Sequence, residues 1–236
     1  DSNLFIKNRK NFVNKLEPNS VAFFNSNDIY PISADSVLPF EQHRDIFYLS
    51  GIDQEESILV LFPQSNNENY KEMLFIRETN NHITHWEGEK LTKNQARDIS
   101  GINNVFWTNE FDDILKILVK EADFVYINTN EHYRQNVETQ TREDRFIEKL
   151  KTIGGIKFKK SNPILQKQRS VKDDIEIELI KKACEITKKG FERVLKFVKP
   201  GVWEYEIEAE LSHEFLKNRS KRFAYSPIIA SGRNSN

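Results

Sequence analysis

The chain has 236 residues, a formal net charge of −1, and a composition that is 38% hydrophobic and 30% charged. A charge so close to zero gives no electrostatic basis for binding nucleic acid or an anionic membrane surface. No apolar run approaches the ~20 residues that a transmembrane helix needs, and the single cysteine, Cys184, excludes an internal disulfide. We therefore expect a soluble protein of a reducing compartment, the cytoplasm, with one large domain or two smaller ones.

The start of the chain predicts a helix followed by buried strands. Residues 3–15 carry apolar side chains at helical spacing, and apolar runs at 21–24, 58–62 and 73–76 are typical of strands covered on both faces. A long polar loop without clear periodicity joins the first two runs, and loops of that kind are usually functional or disordered. The quick succession of strands favours hairpin neighbours.

Helices and strands alternate in the next part of the chain. An irregular segment at 80–89 contains two histidines and Trp86. The patterns after it predict three helices and two strands: helices at 92–99, 111–119 and 142–153, and strands at 105–107 and 124–127. This alternation is typical of a mixed α/β domain, which we expect to span residues 1–165.

The character of the sequence changes after this domain. Residues 165–172 have the composition of a linker or edge segment. The clearest amphipathic helix of the chain begins at Asp173 and ends at Pro200-Gly201. Acidic residues at its start and lysines near its end suit the helix macrodipole.

The last part of the chain predicts an incomplete domain. A helix at 203–218 is followed by an apolar run at 223–230 that predicts a buried strand. The backbone groups of this strand need sheet partners, and little sequence follows to supply them. We therefore expect a second domain, at residues 166–236, that is cut short.

Short motifs in the long polar loop occur in a distinctive order. They are Ser26-Asn27-Asp28, Ala34-Asp35-Ser36, Pro39-Phe40-Glu41-Gln42, Asp45-Ile46-Phe47-Tyr48-Leu49-Ser50-Gly51 and Glu55-Glu56-Ser57. This order resembles the N-terminal domain of the Xaa-Pro aminopeptidases (aminopeptidase P), which belong to the creatinase/prolidase-type metallopeptidases. Family members commonly have Arg where this chain has Glu41, so no family role is carried over to that position.

Three motifs in the second half extend the resemblance. Residues 171–180 resemble the entry to the catalytic "pita-bread" domain of these enzymes, Pro200-Gly201-x-x-Glu204 resembles its helix-to-helix turn, and residues 228–234 resemble the strand and loop that lead into the catalytic core. The implied fold is α/β: an N-terminal mixed β-sheet flanked by helices, of the creatinase N-terminal type. The first helices and strand of an incomplete α+β pita-bread domain would follow it.

The resemblance also implies a reaction. In this family two divalent metal ions, typically manganese, are held by two Asp, one His and two Glu, and their bridging hydroxide attacks the carbonyl before proline. The family pattern places all five ligands, and the helper His, beyond Asn236. We therefore expect part of a metal-dependent aminopeptidase that releases the N-terminal residue from peptides with proline in second position. The fragment itself has no catalytic residue or metal ligand in the family pattern and should be inactive.

The residues by themselves indicate no metal site. His82 and His85 form an i, i+3 pair without an obvious third ligand, and His213-Glu214 lacks the second His of a zinc-peptidase motif. Cys184 lies on the apolar side of the helix that begins at Asp173, so we expect it to be a small buried hydrophobe.

Five residues are the candidates for a site. The resemblance places Tyr225 where the family has a tyrosine close to the dimetal site; the alternative is a core tyrosine packed on its strand. Trp86 resembles the tryptophan of a loop that can reach over the active site of a neighbouring subunit; the alternative is a residue of a small core cluster. Both are expected to bind substrate. Ser231, Gly232 and Asn234 belong to a loop that should border the pocket in a supporting role.

The implied partners are proline-containing peptides and further copies of the chain in a homo-oligomer, a dimer or larger. One alternative keeps the superfamily and changes the substrate, as in prolidase, which takes dipeptides only, or creatinase. A second alternative is a metal-free pita-bread relative that binds peptides or protein partners. The sequence after Asn236 would discriminate between an enzyme and a binding module.

Overall fold

The computed structural model describes residues 2–133 and 138–235. Two compact units are present, Asp1–Val171 and Lys172–Asn236, and the domain boundary between residues 165 and 166 stays a prediction. In the first unit the helices are α1 (Ser2–Val13), α2 (Arg44–Ser50), α3 (Asn81–Glu87), α4 (Lys93–Ser100), α5 (Phe111–Glu121), α6 (Arg142–Ile153) and α7 (Asn162–Ser170). Its strands are β1 (Ser20–Asn25), β2 (Pro31–Ser33), β3 (Ser36–Val37), β4 (Ile58–Leu61), β5 (Glu72–Ile76), β6 (Asn104–Trp107), β7 (Phe124–Ile127) and β8 (Phe158–Lys160).

The first unit is built on a mixed, six-stranded sheet in the order β6-β5-β4-β1-β7-β8. The central strand β1 is antiparallel to β4 and parallel to β7, so that Ala22 lies between Leu61 and Tyr126. Strands β4 and β5 are antiparallel neighbours, as the predicted hairpin arrangement requires. At the two edges of the sheet, β6 pairs parallel with β5 and β8 pairs parallel with β7. The predicted mixed α/β class is confirmed.

Helices cover both faces of this sheet. Because side chains alternate along a strand, Val21 and Phe23 of β1 join one apolar cluster, with α5 and α6. Ala22 and Phe24 join the other, with α1, α2, α4 and α7. Every residue of β1 is buried, which explains why its central residues 21–24 are apolar without alternation.

A buried arginine joins the helices of the second cluster to the sheet. Arg9 of α1 is only 1% exposed, and its guanidinium donates to the carbonyl oxygens of Leu49 (2.8 Å) and Ser100 (2.9 Å), at the ends of α2 and α4. Its Nε donates to the Glu72 carboxylate of β5 at 2.5 Å. A buried charge is tolerated only when it is paired and hydrogen-bonded in this way.

Three short helices lie where the sequence indicated other structure. Residues 44–50 of the long polar loop form α2, the irregular segment at 80–89 contains α3, and the expected linker at 165–172 mostly belongs to α7. These helices have seven to nine residues, too few turns for an apolar period to stand out in the sequence. End groups define α2 instead: the His43 ring caps its start, and Gly51 ends it at φ 73°.

The second unit contains a helical hairpin, α8 (Asp174–Phe197) and α9 (Glu204–Lys217). The helices approach closely at Gly190, where an added Cβ would lie 2.9 Å from the ring of Phe215. Most of the predicted apolar stripe of α8 is exposed, and Cys184 is exposed rather than buried, because the described residues of this unit supply no layer against that face.

The strand predicted at 223–230 does not form in the second unit. Residues 223–230 have no strand assignment, and most of their side chains are exposed. The backbone groups of a strand need hydrogen-bonded neighbours. Among the described residues, no strand pairs with this segment.

No helix among the described residues is both long enough and apolar enough to pass through a lipid bilayer.

Candidate functional site

The loop at 231–234 is held by one carboxylate. Glu204, in the first turn of α9, accepts hydrogen bonds at Oε1 from the Ser231 backbone N–H (2.7 Å), the Ser231 hydroxyl (3.2 Å) and the Asn234 amide (3.1 Å). Gly232, between them, has a φ of 54° and begins a short 3₁₀ turn. The structure therefore brings Ser231, Gly232 and Asn234 together on a single anchor.

These hydrogen bonds also set the charge of the anchor. The Ser231 backbone N–H, followed by the Asn234 side chain and the Ser231 hydroxyl, lowers the pKa of Glu204 below its ordinary value. A carboxylate that accepts several hydrogen bonds is stabilised in its ionised form. Glu204 is thus equipped to position the loop rather than to exchange a proton.

Tyr225 lies in the same unit without regular secondary structure. Its side chain is 76% exposed among the described residues, and both its substrate-binding role and the alternative of a core tyrosine stay predictions. The hydrogen bonds of Glu204 go to Ser231 and Asn234 and not to the Tyr225 hydroxyl, so Glu204 does not join Tyr225 to the 231–234 loop among the described residues. An exposed phenol can offer both a ring face and a hydrogen-bonding oxygen to a ligand.

Trp86 lies on α3 in the first unit, and its side chain is 73% exposed. Trp86 thus lies outside the two core clusters of the first unit, and its role as a substrate contact stays a prediction. The Asn80 side chain caps α3 by accepting from the Ile83 backbone N–H at 3.0 Å. Helix α3 has seven residues, none of them buried, so packing does little to hold Trp86 in place.

Ion pairs hold the segment around α3 in place of packing. Both guanidinium ends of Arg77, which directly follows β5, donate to the Glu87 carboxylate, at 2.6 Å and 2.9 Å. Glu55 lies 3.7 Å from the same guanidinium and also pairs with Lys90 beyond the end of α3. The Arg77 hydrogen bond is the main cause that lowers the pKa of Glu87. The residue next to Trp86 is therefore fixed by a bidentate pair.

Neither Glu204 nor Arg77 was predicted from the sequence to be a positioning residue. A signal was present for Glu204, because acidic side chains in the first turn of a helix often accept nearby backbone N–H groups. No local signal was present for Arg77, because its partners lie 10 residues after it, at Glu87, and 22 residues before it, at Glu55.

Two family models match the chain. The model described as "Aminopeptidase P, N-terminal domain" matches residues 5–126, slightly more than half of the chain. The chain belongs to the aminopeptidase P family. The model described as "Metallopeptidase family M24" matches residues 178–236. The resemblance found in the sequence motifs is thereby confirmed in both halves.

Individual relatives of this aminopeptidase P family chain agree with the family models. The Xaa-Pro aminopeptidase of Escherichia coli K12 is 27% identical over 241 residues, covering 98% of this chain and 52% of the relative. The Xaa-Pro aminopeptidase of Haemophilus influenzae is 25% identical, covering 98% and 51%. Among solved structures, the aminopeptidase PepP of Pseudomonas aeruginosa aligns with a TM-score of 0.87 at 26% identity, covering 99% and 53%. The chain spans about half the length of the relatives it matches.

The M24 family name implies metal ions, and the residues of this chain can be tested for fit. Within the stretches 2–133 and 138–235, no three or more His, Cys, Asp or Glu side chains come together in a way that could hold a metal. The pair His82 and His85 on α3 gains no third ligand there. The described residues of this aminopeptidase P family chain therefore do not fit a metal ion, and no chemical step is assigned to one here.

Proposed function

We propose that this chain is part of a metal-dependent Xaa-Pro aminopeptidase, which releases the N-terminal residue of peptides with proline in second position. The observation that carries the proposal is the match to a relative named Xaa-Pro aminopeptidase along 98% of the chain. This match covers both units of the chain. The family model of the N-terminal domain alone would identify a domain and not an activity.

The metal chemistry of this proposal belongs to residues other than those described. Two divalent ions, manganese in our proposal, would supply hydroxide at neutral pH and stabilise charge on the scissile carbonyl. Their ligands would lie in sequence that the relatives have and this chain does not span. The task left to this chain is to bind, orient and cover the substrate.

Each candidate residue has a proposed share in that task. Tyr225 would contact the substrate from the second unit, and the loop of Ser231, Gly232 and Asn234 would border the pocket in the conformation that Glu204 holds. Trp86 would cover the entrance to the site of a neighbouring subunit in a homo-oligomer. Its support is a large aromatic ring that is 73% exposed on a segment fixed by ion pairs. A bond to proline lacks an N–H and has a fixed ring, so shape and aromatic contact are suitable means of recognition.

The single cysteine supports a reducing compartment, and we propose that the enzyme acts in the cytoplasm.

The deciding experiment compares the full-length protein with the 236-residue chain. Both would be incubated with Mn²⁺ and a peptide such as Gly-Pro-Ala-Ala, and release of the first residue would be measured. We expect release by the full-length protein and none by the 236-residue chain, because the described residues hold no metal cluster. A peptide with Ala in place of Pro is the control and should stay intact.

Other outcomes separate the alternatives. Cleavage of Gly-Pro but not of the longer peptide would replace the proposal with a prolidase activity. Binding of the longer peptide without cleavage, with Mn²⁺ present, would replace it with a peptide-binding protein. Release by the 236-residue chain would contradict the statement that the metal ligands lie elsewhere.

A further inference from the structure

The segment that carries Trp86 returns at both ends to one short turn of the first unit. This tryptophan segment, residues 77–91, leaves the sheet at the end of β5 and contains α3. Strands β4 and β5 are antiparallel, with Ile58 opposite Phe75. The 54–57 turn, which leads into β4, therefore lies at the same edge of the sheet as the start of the tryptophan segment.

Glu55, in this turn, contacts both ends of the tryptophan segment. Its Oε1 accepts a hydrogen bond from the Lys90 ammonium at 2.5 Å, and the same oxygen lies 3.7 Å from the Arg77 guanidinium. The Glu55 side chain is 10% exposed and that of Lys90 is 14% exposed, so water and salt screen this pair little. The first and the next-to-last residue of the segment thus share one carboxylate oxygen.

A second contact with the turn fixes the end of the segment. The Leu91 backbone N–H donates to Gln54 Oε1 at 2.7 Å, and the Leu91 side chain packs against the apolar cluster that includes α1. Trp86 lies between the two held ends, on a helix with no buried residue. The position of its ring therefore depends more on where the ends are held than on packing of the helix itself.

The 54–57 turn is held in turn by buried hydrogen bonds. Gln42 Nε2 donates to the Gln54 carbonyl at 2.9 Å, and the Ser57 hydroxyl donates to the same carbonyl at 2.7 Å. The Ser26 backbone N–H, just after β1, donates to the Ser57 carbonyl at 2.9 Å. All four of these residues are buried. Because the turn is attached to the central strands in this way, a contact with it fixes the tryptophan segment relative to the core.

Removal of the Glu55 charge would release the segment at both ends. Among the described residues, Lys90 forms its ion pair with Glu55, whereas Arg77 also pairs with Glu87. A mostly buried ammonium group without its partner is costly, and the chain lowers that cost by exposing the charge to water. The end of the tryptophan segment would then move outward and displace α3.

We propose that Glu55 is a positioning residue of the peptidase, which sets the position of Trp86 by joining both ends of the tryptophan segment to the 54–57 turn. Glu55 itself touches no substrate and acts through the ring. The proposal rests on the proposed role of Trp86 at the entrance to a neighbouring site. It adds that the first unit alone places the ring, so the entrance is preorganised before substrate binds.

The first test measures the position of Trp86 in the 236-residue chain. The chain contains three tryptophans, Trp86, Trp107 and Trp203, and incorporation of 5-fluorotryptophan gives each of them a fluorine NMR signal. The signal lost in Trp86→Phe identifies Trp86. We expect Glu55→Gln to shift or broaden the Trp86 signal and to leave the other two unchanged. An unmoved Trp86 signal would overturn the proposal. So would an equal shift of Trp107, which lies on β6 of the same unit and would report general destabilisation.

Variants of Lys90 and of an unrelated ion pair are the matched controls. Lys90→Met removes the other partner and should reproduce the effect of Glu55→Gln, whereas Lys90→Arg keeps a cation there and should retain most of the original signal. Glu17→Gln breaks the pair of Glu17 with Lys159 elsewhere in the unit, and it should leave the Trp86 signal unchanged. A shift in Glu17→Gln as large as that in Glu55→Gln would refute the assignment.

The second test measures catalysis by the full-length protein with Mn²⁺. For a long Xaa-Pro peptide, Glu55→Gln should raise KM about fivefold, as expected for a lost aromatic contact, and leave kcat unchanged. Trp86→Ala should have the same effect. The double variant should show no further rise, because Glu55 acts through Trp86. Additive effects of the two substitutions would overturn the proposal.

The single variants separate a failure of this proposal from a failure of the proposed function. A raised KM in Trp86→Ala but not in Glu55→Gln would overturn the positioning role and leave the role of Trp86 intact. An unchanged KM in both would remove Trp86 from the entrance and this proposal with it. Absence of cleavage by the unaltered full-length protein would contradict the proposed activity, and the fluorine signals would still decide whether Glu55 places the ring.

Discussion

At the scale of residues, the motifs that identified the family make hydrogen bonds that stabilise the first unit. Asp45 receives hydrogen bonds from Arg169 at 2.6 Å and from Asn128 at 3.2 Å. Gln42 donates to the Gln54 carbonyl at 2.9 Å and to the Ser57 hydroxyl at 3.2 Å. The motif therefore identifies the fold of this domain, and its residues are not by themselves evidence for catalysis.

Gly51, which ends the same motif, provides a residue-scale prediction. It has a φ of 73°, and a Cβ added there would overlap the ring of Phe5. Gly51→Ala should therefore cost both the left-handed backbone strain and the displacement of that ring, about 3 kcal/mol in all. The measurement is the free energy of unfolding in urea.

The control is the same Gly51→Ala change in a Phe5→Ala background. Without the ring, only the left-handed backbone of Gly51 (φ 73°, ψ 3°) opposes the new Cβ. We expect a loss of about 1 kcal/mol from that backbone strain alone. Equal losses from Gly51→Ala with and without the ring would show that the contact with Phe5 has no energetic weight.

At the scale of elements, α3 shows how a helix can be held without a core. It has no buried residue, whereas α4, which follows it, buries Ala96 and Ser100 and has a complete capping box. The stability of α3 must come from its cap and from the ion pair between Arg77 and Glu87. Partly exposed pairs of this kind contribute about 1 kcal/mol or less, which is enough to matter for one short helix.

We predict that Arg77→Met loosens α3 and the tryptophan it carries. Hydrogen exchange at the Thr84 amide, which bonds to the Asn80 carbonyl at 3.0 Å, should become faster. In the full-length protein, which we propose to be a homo-oligomer, we expect KM for a long Xaa-Pro peptide to rise in Arg77→Met and in Trp86→Ala. The effect on a dipeptide should be smaller, because the dipeptide does not reach the proposed entrance.

Arg97→Met on α4 is the control for this element, because packing and the capping box hold that helix in any case. It should leave exchange in α3 and KM unchanged. If Trp86→Ala leaves turnover of long peptides intact, the proposed role of Trp86 is wrong. If only Arg77→Met leaves it intact, the ion pair is not what positions the ring.

At the scale of the whole molecule, half-buried titratable groups link stability to pH. Burial lowers the pKa of His43 below 6.5, as do the charges of Arg169 and Arg44, while Asp45 opposes them. The unfolded chain therefore binds the proton more tightly than the folded chain does. Stability from this residue is fully present above pH 6.5 and is lost as the pH falls through the folded-state pKa.

We predict that His43→Gln reduces this loss on acidification. Between about pH 7 and about pH 5, the free energy of unfolding should fall less steeply in the variant than in the natural sequence, by at most about 1.4 kcal/mol per pH unit. The measurement is a set of urea unfolding curves across this range. Exposed His82→Gln should keep the original slope, and a similar slope in all three proteins would contradict the assignment.

The contribution of Glu143 to stability depends on pH in the opposite direction. Burial raises its folded-state pKa above 4.5, so the folded chain binds this proton more tightly. Its contribution is present below pH 4.5 and is lost as the pH rises through the folded-state pKa. The partial burial of Glu143 is tolerated because Asn25 and Asn128 donate hydrogen bonds to its oxygens.

The sequence by itself determined the long amphipathic helices, the buried strands and the family, since each rests on side-chain spacing or on motifs within a few tens of residues. Only the tertiary structure decided the order of the strands, the burial of Arg9, the anchors Glu204 and Arg77, and the contact of Glu55 with both ends of the tryptophan segment. The strand predicted at 223–230 shows the physical reason. Apolar spacing makes a segment able to form a strand, but hydrogen-bond partners distant in the sequence decide whether it does.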